Sequence, residues 1–111
     1  MDIKTVEKPW GKEEWIAYGN GIYIGKLLYI HKGHSISLQA HPDKHETMLL
    51  LSGDAIIELD GKFIELDMKV PIEIPPMMKH RIKAITNCKI VEVSNNAFKT
   101  IRYEDDYGRA R

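Results

Sequence analysis

The chain has 111 residues, 43% of them hydrophobic and 29% charged, with 16 basic residues balancing 16 acidic ones. That length closes one hydrophobic core, so residues 1–111 read as a single domain, and the apolar content excludes a disordered chain. No run of Lys and Arg forms a stripe for nucleic acid, and no apolar window approaches the roughly 20 residues of a membrane span or opens the chain as a signal peptide, so the expected location is the cytoplasm.

Taken in chain order, nine short runs rich in β-branched and aromatic residues stand between turn signals. They are EEWIAY and IYIGKLLYI around Gly19-Asn20-Gly21, then SISLQA, TMLLLS, AIIELD, KFIEL, VPIEI, RIKAI and KIVEV. Eight or nine short strands with tight connections predict an all-β sandwich or barrel. Asp60-Gly61 has the composition of a two-residue type I′ turn, which makes the strands on either side antiparallel. No stretch of about 12 residues carries a 3.6-residue apolar period, so helix is expected only in a turn or in the tail. The polar tail from Phe98 reads as a segment lying on the barrel rather than a strand within it. A small open barrel leaves edge strands that a partner's N-terminal strand covers, which predicts a homodimer. Trp10 and Trp15 are expected to pack in the core or at a subunit contact, and Cys88 as a small buried residue.

Four residues gather as candidate metal ligands. Alternation along SISLQAH puts Ser35, Ser37, Gln39 and His41 on one face and Ile36, Leu38 and Ala40 on the other. After the short HPDKH connection, a tight antiparallel return brings Glu46 back beside His41. His80 follows a Pro-Pro loop and opens another strand, adding a fourth group if that strand neighbours the first two. Imidazole and carboxylate are the usual protein donors for first-row divalent metals, and Gln39 adds a neutral amide oxygen. The same donors leave zinc, manganese, iron, cobalt and nickel open. His31, His34 and His45 are expected to be solvated loop residues.

Two polar residues interrupt apolar strands. Glu92 in KIVEV either turns into the barrel or sits solvated on the outside. Lys26 shares a face with Ile24, Leu28 and Ile30, and either snorkels at the rim or reaches the site to bind a phosphate.

The string from Gly33 to Gly53 resembles the first cupin motif at every landmark spacing, with Gln39 where the first His of the pair usually stands. Pro75 and His80 resemble the second motif, with Met77 in place of its Gly and Ala84 in place of its final Asn. Four further strings resemble the C-terminal domain of type II mannose-6-phosphate isomerases: KPWG at Lys8–Gly11, SLQAH at Ser37–His41, HRI at His80–Ile82 and RYEDDYGR at Arg102–Arg109. That family's Arg-x-Glu-His-Trp is here Lys44-His45-Glu46-Thr47-Met48, and its opening Arg is Lys8. The resemblance implies a cupin jelly roll and an aldose–ketose isomerase that passes through a metal-stabilised enediolate. On that reading Glu92, with Lys26 behind it, is the candidate proton-transfer group, and the sugar phosphate is the partner. An Arg fork suits a phosphate dianion, so Arg109 is the preferred anchor and Arg102 the second. A non-catalytic sugar-phosphate binder is the alternative from another class. A cupin dioxygenase is the third, disfavoured because Gln39 removes a His ligand.

Overall fold

The computed structural model describes residues 2–109. Among them the chain forms eleven strands and no helix: β1 (Lys4–Lys8), β2 (Gly11–Ala17), β3 (Tyr23–Ile30), β4 (Leu38–Ala40), β5 (Glu46–Ser52), β6 (Ala55–Leu59), β7 (Lys62–Glu65), β8 (Ile72–Ile74), β9 (His80–Ala84), β10 (Cys88–Asn95) and β11 (Ile101–Glu104). They make two sheets, a six-stranded one ordered β1-β2-β3-β10-β5-β8 and a five-stranded one ordered β11-β4-β9-β6-β7, with every pairing antiparallel. This is the all-β architecture that the strand pattern predicts, in the jelly-roll form that the resemblance implies.

Period-two alternation decides what lies between the sheets. β5 buries Glu46, Met48 and Leu50, and β10 buries Cys88, Ile90, Glu92 and Ser94, while the residues between them face outward. Ile57, Ile74, Ile82 and Ile90 are at most 1% exposed, and each contributes about 2 kcal/mol through the apolar surface it removes from water. Trp10 belongs to this core at 3% exposure. The next residue, Gly11, is required by proximity, because a Cβ there would lie 1.8 Å from the Tyr29 carbonyl oxygen. The type I′ turn forms as read, with φ of 46° at Asp60 and 83° at Gly61.

Three expectations need correction. The tail is not merely laid on the barrel, because β11 is an edge strand paired with β4, Ile101 opposite Ala40 and Arg102 opposite Gln39. Its pattern is inverted: Arg102 faces a polar interior and Ile101 faces out at 37% exposure, so the strand looks like a solvated segment in sequence. β1, a polar edge strand, was also absent from the nine runs. Finally, Ser35 does not share a face with Gln39 and His41. It bridges to Lys83 on the outside, whereas Gln39 stands opposite His80. Four steps on one strand against three on the other mean an extra residue, a bulge that flips the face. Ile36 is thereby turned inward with Ser37 and Gln39.

Candidate metal centre

Three of the four candidate ligands meet at the junction of the two sheets. His41 follows β4, Glu46 opens β5 and His80 opens β9; their side chains are at most 6% exposed and their ligand atoms lie within 4.8 Å of one another. The His41 and His80 Nε2 atoms stand 3.6 and 3.0 Å from Glu46 Oε1. Each ring turns its other nitrogen to the backbone: His41 Nδ1 lies 3.1 Å from the Lys99 carbonyl, and His80 Nδ1 lies 3.0 Å from that of Met78. A carbonyl only accepts, so both Nδ1 atoms carry a proton and each Nε2 is the nitrogen left to face Glu46. Burial and the Lys44 charge lower the His41 pKa to about 4, which keeps that ring neutral near pH 7.

The arrangement fits a cation. Both Glu46 carboxylate oxygens and His80 Nε2 are buried without a hydrogen-bond partner, a costly condition unless something positive completes them. Two imidazoles and a carboxylate are a donor set for a divalent first-row metal. Gln39, opposite His80 in register, faces the same interior, and its Oε1 accepts a hydrogen bond from Ser37 Oγ at 3.0 Å, leaving one lone pair.

Beside the cluster lies a cavity of about 230 Å³, with a smaller lobe of about 50 Å³. Lys8, Glu13, Gln39, Glu92 and Arg102 line both lobes. Of the two alternatives for Glu92, the inward one is found: it is 7% exposed, and burial together with the Glu46 charge raises its pKa well above the ordinary carboxylate value, Lys26 and Lys44 opposing. Lys26, opposite Glu92 in register, also reaches the cavity. Its ammonium lies 3.7 Å from Glu13 and 4.3 Å above the Trp15 ring. Trp15, half-buried, stacks on Phe98 at the mouth rather than joining the core.

Lys44 was missed in sequence. It is 6% exposed, lines the cavity and places its ammonium 3.8 Å from Glu92. The signal was its parity: two residues before Glu46, it points the same way as the ligand. Arg109 lines the smaller lobe, but its guanidinium is held by Asp105 through contacts of 2.9–3.2 Å. Arg102 lines both lobes with its Nε buried and unpartnered. His31, His34 and His45 lie outside the cluster; His45 is on the surface, 2.6 Å from Glu73.

Comparison with known proteins identifies the family. The family described as mannose-6-phosphate isomerase C-terminal matches residues 2–110. Relatives include a mannose-1-phosphate guanylyltransferase of Salmonella montevideo, 28% identical over 96% of this chain, and the alginate biosynthesis protein AlgA of Pseudomonas putida, 28% identical over 94%. The chain spans only 24% and 22% of their lengths. Among solved structures, the capsular polysaccharide assembling protein CapF of Staphylococcus aureus matches 94% of this chain and 32% of its own, with a TM-score of 0.79 and 18% identity. An RmlC-like cupin of Shewanella frigidimarina matches 87% and 86%, with a TM-score of 0.78 and 16% identity. With a jelly roll of cupin type and a family match over nearly its whole length, this chain belongs to the mannose-6-phosphate isomerase C-terminal family.

Proposed function

We propose that the chain is a metal-dependent sugar-phosphate isomerase, interconverting an aldose phosphate and its ketose, with mannose 6-phosphate as the first substrate to test. The observation that carries this reading is the His41, Glu46 and His80 donor set, in which the Glu46 oxygens and His80 Nε2 are orphaned, beside a polar cavity that has a buried carboxyl, Glu92, in its wall. Gln39 joins the three as a neutral fourth donor. A bound divalent cation supplies positive charge to an oxyanion developing at the carbonyl end of the sugar. Glu92 moves the proton between the two adjacent carbons, and the ammonium groups of Lys26 and Lys44 favour the ionised form that a base requires. The Trp15 and Phe98 rings narrow the mouth and limit water.

The test is NMR of the sugar pool after metal-replete protein is incubated with mannose 6-phosphate or fructose 6-phosphate. Interconversion that disappears in Glu92→Gln, with the metal retained, supports the reading. Binding without interconversion overturns it in favour of a non-catalytic sugar-phosphate binder, the second reading.

A further inference from the structure

The cations around the cavity do not all have partners. Lys26 faces Glu13 at 3.7 Å, Lys44 faces Glu92 at 3.8 Å and Arg109 is clasped by Asp105 at 2.9 Å. Lys8 and Arg102 line both lobes, and neither forms an ion pair among the described residues. Glu13, the acid closest to Lys8 in effect, is already engaged: its Oε1 accepts from the Trp15 indole at 2.9 Å and faces Lys26. Arg102 has its Nε buried without a hydrogen bond, which for a charged group is a strong call for an acceptor. The ammonium of Lys8 is held below its ordinary pKa by burial and by the charges of Arg109, Lys26 and Arg102, with Glu13 opposing, so the local field is one an anion would relieve.

The strand order sets where this pair lies relative to the metal donors. Gln39 stands opposite His80 on one side and Arg102 on the other, so Arg102, Gln39 and His80 form a row across three neighbouring strands. Two inter-strand spacings separate the ends, about 10 Å. That is a span a six-carbon sugar phosphate reaches between its carbonyl end and its phosphorus.

We propose that Arg102 and Lys8 form the anion subsite of the cavity, taking the phosphate of a sugar phosphate whose carbonyl end lies towards His41, Glu46 and His80, and that Arg109 is a strut of the tail. The two unpaired positive charges match the two negative charges of a phosphate monoester, and the fork of Arg102 offers paired donors to its oxygens. This rests on the isomerase reading for the sugar, but the anion subsite is tested without turnover.

Calorimetric titration with inorganic phosphate, on protein with and without EDTA treatment, is the experiment. The parent is expected to bind phosphate in both forms, which separates this subsite from phosphate on a metal. Arg102→Gln and Lys8→Gln should each weaken binding by roughly 10- to 150-fold, with metal content and circular dichroism unchanged, while Arg109→Gln changes it by less than about threefold. No binding by the EDTA-treated parent, or parental affinity in both Arg102→Gln and Lys8→Gln, overturns the subsite. If the parent interconverts the sugar phosphates and those two variants keep its KM, the subsite falls and the isomerase reading stands. If they lose phosphate but the parent turns nothing over, the subsite stands and the isomerase reading falls.

Discussion

His41 and His80 each commit one ring nitrogen to a backbone carbonyl and aim the other at Glu46, so neither ring can be replaced by a residue that merely fills its volume. His41→Ala and His80→Ala are each expected to lower metal affinity by more than the roughly 10- to 100-fold that loss of a supporting group alone costs, as read by elemental analysis of protein purified without chelator. Met77 is the opposite case, a residue whose backbone asks for another. It sits at φ 66° in the Pro75–His80 loop, is 51% exposed and donates its N–H to the His41 carbonyl at 2.9 Å. Met77→Gly should stabilise the fold by about 1 kcal/mol, checked by urea unfolding, because the left-handed conformation costs an L side chain about that much. The clustering of His41, Glu46 and His80 was legible because strand parity and motif spacing agreed on it. Lys8 and Arg102 were harder to place, since a cation without a partner is defined by which acids have been taken by other cations, and no spacing encodes that.

At the level of elements, β4 carries the site because it has a neighbour on each side, and β11 was the neighbour sequence did not reveal. A strand that turns Arg102 inward and Ile101 outward violates the pattern by which strands are recognised, and the violation marks the polar cavity. The segment after β11 is pinned by Tyr107 stacked on His34, with centroids 6.1 Å apart, and by Arg109 on Asp105. Hydrogen bonds from Arg109 hold the Asp105 carboxyl below its usual pKa. A depressed carboxylate pKa gives stability that is complete above the unfolded value, near 3.9, and is lost as pH falls through the folded value. Hydrogen exchange of the Arg109 amide, which donates to Asp105 at 2.6 Å, should therefore speed up relative to the core below about pH 4, and in Asp105→Asn that extra acid sensitivity should vanish.

For the whole molecule, an all-β sandwich or barrel was legible from turn punctuation and alternation and its jelly-roll form from the cupin resemblance, whereas the bulge between Ser35 and Gln39 was not, since a one-residue slip leaves no mark in composition. The outer face of the six-stranded sheet carries a further expectation. Leu27, Val91 and Leu49 lie side by side there, with Val93 at 51% exposure in the next row. Lys12, Tyr29 and Lys89 cross one end of this face and Glu73 the other, so a two-fold related copy would set Lys against Glu. A homodimer through this face, rather than through a partner's N-terminal strand laid on a sheet edge, is the expected state by light scattering at micromolar concentration, since β1 pairs with β2 of its own chain. Val93→Asp should yield monomers, and a parent that is already monomeric would end the dimer expectation.

The donor set also spans the two sheets. Glu46 belongs to the six-stranded sheet and His80 to the five-stranded one, so an ion held between them clips the two layers together at one end of the barrel. Ligation favours the folded chain by mass action, about 2.7 kcal/mol when free metal stands a hundredfold above its dissociation constant. For a domain of this length that is on the order of 10 °C in Tm, so the melting temperature should track the free metal concentration and fall after chelation. Metal supply would then govern the lifetime of the protein: in a cell starved of the ion, proteolysis would clear the chain by way of its loosened barrel end.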